Sequence, residues 1–357
     1  MTRGLVGTAV MAAALVVAAS PGSARGQAAD RVILAGGQTA SGKVLAVSPT
    51  VVDLEGANGD TQKIQVETVR EVQFGAEPQS LRNARSMLLR GRGADALEEV
   101  GKIEAGDLDG AEPLVLAEVD FVKAASAGRA VLDTGGDLAA AIKGVATYLG
   151  KNAKSHHLFQ MQELQGDLLS RAGKADEAMA AYSQLGAGPG PVKVRAASAK
   201  AALLLAQGKT DAALAEYEAA IKLAGADKAS ESQKRAADLG KAKCLSLQGK
   251  QEPAIQLVNQ VIKDSSPEDK ELLARAYNVL GGIHRATEGK DQDALISFLT
   301  VDLVYNSVPD SHAEALFNLG ELWERGSNPE RAREARQNLK ASYPVSPWAK
   351  KLDAAKS

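Results

Sequence analysis

Few side chains in this chain are placed to do chemistry. Gly208-Lys209-Thr210 matches the end of a phosphate-binding loop, where a glycine-rich turn cradles phosphate and the lysine neutralises it. That loop needs a glycine five residues earlier, and position 203 is Leu. The same Gly-Lys pair recurs at Gly173-Lys174, Gly249-Lys250 and Gly289-Lys290, so it reads as a repeated turn and not a nucleotide site. His156 and His157 offer two imidazoles, but adjacent residues on a helix diverge by about 100°, whereas chelating pairs stand four apart. We read them as a solvated face. No His-Glu-x-x-His zinc helix and no Gly-x-Ser-x-Gly elbow occur, and His284 and His312 have no ligand partners close in sequence. Cys244, the single cysteine, sits in Ala242-Lys243-Cys244-Leu245 and reads as a buried structural thiol. One cysteine excludes both a disulfide framework and a cysteine-rich zinc site. The carboxylates, Glu216 and Glu218 among them, follow helix faces, with no pair set apart for two-acid hydrolysis. The reading is therefore a non-enzyme, with no catalytic residue, no metal and no cofactor.

The elements that carry these residues follow from composition and pattern. Of 357 residues, 45% are hydrophobic, 24% charged and only 4% aromatic, and about a fifth are alanine. That balance favours closely packed helices over sandwiches built from β-branched and aromatic side chains. The net charge of -2 excludes a dedicated nucleic-acid binder, which needs a basic surplus.

Residues 1–29 read as a secretory signal peptide. Arg3 gives a positive start, Leu5 to Ala19 is almost wholly apolar, and Pro21 with the small residues Ala24, Ala28 and Ala29 supplies a cleavage region. The apolar run is shorter than the roughly 20 residues of a membrane span. The expected location is the periplasm or outside the cell, with no integral span after cleavage.

Residues 30–76 change texture. Short runs such as Arg31-Val32-Ile33-Leu34, Lys43-Val44-Leu45-Ala46-Val47 and Thr50-Val51-Val52-Asp53-Leu54 alternate apolar with polar residues and are separated by Gly36-Gly37, Ser48-Pro49 and Gly56-Ala57-Asn58-Gly59-Asp60. Five strands are expected. The order of Gly37, Gly42, Val44, Val52 and Leu54 resembles the Sm-like pattern, which implies a small SH3-like or Sm-like barrel. Protein contact or dimerisation is its expected role, in preference to RNA binding.

The rest is a repeat array. Each Gly-Lys turn is followed by an alanine five residues after the glycine: Ala178, Ala213, Ala254 and Ala294. A fifth copy carries Gly326-Ser327-Asn328-Pro329 and Ala332, and weaker copies pair Gly91 with Ala96 and Gly136 with Ala141. These residues, with Gly166, Tyr182, Tyr217, Phe298, Leu319-Gly320, Trp323 and Pro344, resemble tetratricopeptide repeats. The resemblance implies a mainly α fold, an α-solenoid of five to seven helical hairpins over residues 79–352, following the small β module. Ala213 is expected at a helix crossing, where a larger residue would overpack, and Ala226 in a polar stretch that tolerates one. Gly186-Ala187-Gly188-Pro189-Gly190-Pro191 reads as a non-helical hinge or long loop.

A stacked array of this kind binds on the inner surface formed by its first helices. The register places Gln160, Glu163, Asp167, Arg195, Lys243, Glu314, Phe317 and Glu321 there, with Arg195 and Lys243 as the pair expected to hold an acidic ligand. The Lys/Asn clamp by which some chaperone-binding repeats hold a C-terminal carboxylate is not reproduced. The ending Tyr343-Pro344-Val345-Ser346-Pro347-Trp348-Ala349 is similar to that of exported bacterial repeat proteins of the Tol-Pal-associated cell-division coordinator type and of outer-membrane assembly lipoproteins. These resemblances imply a scaffold binding other envelope proteins or peptides, and no nucleic acid. A self-assembling envelope component that oligomerises through the β module is the alternative, and a cryptic envelope hydrolase a more distant one.

Overall fold

The period-two alternation near the N-terminus produces five strands in the computed structural model, which describes residues 28–225 and 228–354. The expected signal segment, apart from Ala28 and Ala29, and the tolerant Ala226 both lie outside the described residues. Strands β1 (Asp30–Leu34), β2 (Thr39–Val47), β3 (Val51–Glu55), β4 (Thr61–Gln65) and β5 (Val69–Gln73) form one antiparallel sheet in the order β4-β3-β2-β1-β5. Asp30 fixes the start of the sheet, its carboxylate accepting from the backbone N–H of Val44 and of Gly75, both at 2.8 Å.

The expected barrel is not formed. The edge strands β4 and β5 are joined by a 3-10 turn, Val66–Thr68, and do not pair, so the sheet stays open. The reason is in the core. Val32, Val44, Val52, Leu54, Ile64, Val72 and Phe74 pack in one cluster with Leu81, Ala84, Val100, Val115, Val119 and Phe121 of the helices that follow. Helices cover the apolar face that a barrel would have closed over itself.

Seven hairpins follow among the described residues. The first three are α1 (Gln79–Leu89) with α2 (Gly93–Gly101), α3 (Pro113–Thr134) with α4 (Leu138–Lys151), and α5 (Leu158–Arg171) with α6 (Ala175–Gln184). Then come α7 (Gly190–Ala206) with α8 (Thr210–Leu223) and α9 (Lys228–Leu247) with α10 (Gln251–Asp264). The last are α11 (Lys270–Arg285) with α12 (Asp291–Val304) and α13 (Pro309–Arg325) with α14 (Pro329–Ser342), closed by α15 (Pro347–Ala354).

The recurring turn is physical. Gly91, Gly173, Gly208, Gly249 and Gly289 have φ of 74–79°, the left-handed conformation that reverses a chain at a helix end, whereas the turn after α3 uses Gly135 and Gly136 at 82° and 131°. In the last hairpin Ser327 takes that role with φ of 57°, so the glycine counterpart is Ser327 and not Gly326, and the five-residue offset to Ala332 is kept. The anchor alanines Ala96, Ala178, Ala213, Ala254, Ala294 and Ala332 are all fully buried. Small residues meet rings at the crossings: a Cβ on Gly166 would lie 2.3 Å from the Tyr182 ring, and one on Gly240 2.1 Å from Tyr217.

The Gly/Pro-rich stretch at 186–191 is more ordered than its composition suggests. Leu185–Ala187 is a 3-10 turn, and Gly190 and Pro191 already belong to α7, leaving only Gly188 and Pro189 between. Pro191 fits because the first turn of a helix has no use for its missing N–H. No described helix is long and apolar enough to cross a membrane.

Candidate functional site

Successive first helices of the hairpins, from α7 through α9 and α11 to α13, lie side by side, and each second helix packs against the first helix that follows it. The first helices from α7 to α13 thus make one continuous layer, and a polar groove crosses it toward the C-terminal end. Its walls carry Lys243 from α9, Asn278 and Arg285 from α11, Glu314, Asn318 and Glu321 from α13, and Trp348 and Lys351 from α15.

Helical register and one-repeat separation bring these groups together. The Asn278 side chain donates to the Ser311 carbonyl at 2.8 Å and reaches Glu314 at 3.4 Å, while its own Oδ1 is buried without a donor. Arg285 donates to Asn318 Oδ1 at 2.6 Å, and Asn318 donates in turn to the Glu314 carbonyl at 2.8 Å. Burial pushes the Glu314 carboxyl up, against the pull of Lys243 and Lys351. The charge of Glu321 is answered by Arg336 at 3.3 Å. Lys243, Arg285 and Lys351 have no carboxylate ion partner among the described residues, so the groove keeps a positive surplus.

The sequence-derived site divides over this framework. Lys243, Glu314 and Glu321 line the groove. Phe317 does not: it is 6% exposed, beneath Trp348, with Lys351 over its ring at 4.9 Å, so α15 covers it from any partner. Gln160, Glu163 and Arg195 line a different cavity, near the sheet, together with Pro189, Pro191 and Phe159. Arg195 is committed there to Glu163 at 3.0 Å, so it is not free to act with Lys243. Asp167 accepts from the Tyr182 hydroxyl at 2.9 Å and serves the helix crossing beside Gly166. Asn278, Arg285, Asn318 and Lys351 were missed. Asn278 and Arg285 on α11 meet Ser311 and Asn318, 33 residues on in α13, which is contact between neighbouring first helices and not one register position repeated, so the turn-to-alanine pattern does not mark them.

The residues considered first for chemistry also find places. Cys244 is fully buried, which pushes its thiol up and leaves it unreactive. His312 bonds Tyr343 and Asp302 at 2.8 and 2.7 Å and ties the last hairpins together. His156 and His157 do not lie on a helix face in solvent. They precede α5 in the turn after α4, where the helical divergence of adjacent side chains does not apply, and their rings approach to 3.8 Å. His157 stacks on Phe121 at 3.4 Å and meets Glu118 of α3 at 3.0 Å. Glu118 also accepts from Arg85 of α1 at 2.8 Å, and Arg85 pairs with Glu77 and, at 3.4 Å, with Glu71 of β5. Burial opposes the charge on Glu118, but His157 and Arg85 beside it hold its carboxyl well below the usual range. Burial pushes His156 down to about 3, so that ring is neutral.

No model of a known protein family matches the chain, and no curated protein matches it in sequence. Solved structures do match in fold. One is a tetratricopeptide repeat protein from Parabacteroides merdae, at 16% identity and a TM-score of 0.50 over 74% of this chain and 94% of that one. Another is the apo form of the quorum sensor NprR from B. thuringiensis, at 16% identity and a TM-score of 0.56 over 73% of this chain and 74% of that one. The helical array has a tetratricopeptide-repeat-like fold.

Proposed function

We propose that this chain is an exported, non-enzymatic scaffold of the cell envelope, and that its array holds an extended acidic segment of another protein in the groove between α9 and α15. The observation that carries the reading is the cation set of that groove. Lys243, Arg285 and Lys351 face it without ion partners among the described residues, beside amide side chains suited to a peptide backbone. Export is supported by the charged start, apolar run and small residues of positions 1–29. Intact mass of natively expressed protein should show a start between about Arg25 and Arg31, and retention of residues 1–29 would remove the envelope from the proposal.

Binding is tested with fluorescein-labelled acidic, neutral and basic peptides of one length, read by anisotropy and by Trp348 emission. Acidic peptides should bind preferentially, weaken with added salt, and lose most of their affinity for Lys243→Glu/Lys351→Glu while helicity and melting stay put. Equal affinity for all three peptide classes, or an unaffected double variant, would place the binding surface elsewhere.

A further inference from the structure

We propose that Glu118, His156 and His157 form a binding site for one divalent transition-metal ion of the zinc class. The site is made by the fold: Glu118 stands on α3 and the histidines in the turn between α4 and α5, yet one donor atom from each lies within 4.8 Å of the others. Two imidazole nitrogens and one carboxylate oxygen are the donor set that holds zinc with a fourth position left open.

Three observations point to an ion and not merely to a buried hydrogen-bond network. First, both ring nitrogens of His156 are buried and have no hydrogen-bond partner, so at least one is a free donor aimed into the cluster. Second, with both imidazoles neutral, as metal ligands are, the surrounding charges do not balance. The Arg85 side chain is 3% exposed and faces Glu71, Glu77 and Glu118, whose side chains are 10%, 0% and 2% exposed. Arg82 offsets part of this, reaching Glu77 from a side chain that is 39% exposed. A dication would answer the remaining surplus of negative charge, which is costly to leave buried.

Third, an outer shell already orients the donors. Arg85 Nε holds Glu118 Oε1, which leaves Oε2 facing His157 Nε2 at 3.0 Å. The Tyr148 hydroxyl donates to Ser155 Oγ at 2.7 Å, and that oxygen accepts the His157 backbone N–H at 3.0 Å, fixing the turn that carries both rings. Glu118 Oε2 and His157 Nε2 already stand 3.0 Å apart, near the roughly 3.3 Å that tetrahedral ligands keep, and no hydrogen bond holds the His156 ring away from them. The open position would face the cavity lined by Leu114, Ala117, Lys151 and Asn152. A bound ion would clasp the α4–α5 turn to α3 and, through Arg85, to α1 and the edge of the sheet.

The test uses the untagged chain, stripped with a chelator and dialysed. Titration with Zn²⁺ should show one equivalent bound at micromolar affinity or tighter, with a higher melting temperature, and Co²⁺ should give visible d–d absorption at the same stoichiometry. His156→Ala should weaken binding at least tenfold and abolish the cobalt band while the metal-free melt is nearly unchanged, and His284→Ala should bind like the parent. Failure of the parent to bind one equivalent would overturn the proposal, and so would unchanged affinity in His156→Ala. Neither result bears on peptide binding in the groove, which is read separately.

Discussion

Single residues separate packing from propensity in this array. Gly240 and Gly144 are both helical glycines, but their surroundings differ completely. A methyl on Gly240 would press on the nearly buried Tyr217 ring, whereas one on Gly144 meets nothing within 4 Å. Gly240→Ala should therefore cost about 1–3 kcal/mol by overpacking. Gly144→Ala should gain up to about 1 kcal/mol from helix propensity. Ser327 is the complementary case, a residue with a side chain held at φ of 57° where the other hairpins use glycine. Ser327→Gly should relieve roughly 0.5–1 kcal/mol of backbone strain, net of the greater freedom glycine gives the unfolded chain. Urea melts of the three variants check all of these, and losses of equal size at Gly144 and Gly240 would contradict the crossing geometry.

At the scale of the helix pair, burial and pairing give pH dependence of opposite signs. Burial raises the Asp167 carboxyl, against the Tyr182 hydroxyl and Arg129. A carboxylate whose folded pKa is raised binds its proton more tightly in the native state, so its contribution to stability falls as pH climbs from the unfolded value of about 3.9 through the folded one. Asp167→Asn keeps an acceptor for Tyr182 and removes that loss. Its melting temperature should exceed the parent's at pH 7, and the difference should shrink toward pH 3. Glu99 is the reverse case, held down by hydrogen bonds from Lys102 and Asn83. Its contribution is present above the unfolded pKa of about 4.3 and lost as pH falls through the folded one, so Glu99→Gln should be slightly less stable than the parent at pH 7 and equal to it in acid. The hairpins themselves were legible because a left-handed turn and a buried alanine five residues later are local demands that each copy must meet. The Glu118–Arg85–His157 cluster was not, because Arg85 and Glu118 take different positions on α1 and α3 and His157 comes from the turn before α5, so the three share no position of the repeat. The groove stands between: its walls come from successive first helices, but whether a given lysine there is free or paired is settled by neighbours one hairpin away.

Across the whole molecule, the open sheet decides how the chain divides. Sequence pattern gives five strands, but a strand pattern fixes only which side chains share a face and not what covers that face. Here the cover is helical. The cluster that includes Val32, Val52, Leu54 and Val72 runs without a break through α1 to α4 and on to Met161, Leu164 and Leu168 of α5, whereas the later hairpins bury smaller clusters of their own. A stretch of about 45 residues with one apolar face left open cannot bury enough surface to hold itself together. Residues 28–76 expressed alone should thus show no cooperative melt and no stable sheet by circular dichroism. Residues 28–188, which restore α1 to α6, should melt cooperatively with both strand and helix signals, and residues 190–354 should keep their helicity without them. The sheet is then part of the first folding unit of the array and not a domain tethered to it. A cooperatively folded 28–76 fragment would show instead that the sheet carries a core of its own, and burial beneath the first helices would no longer be the reason it stays open.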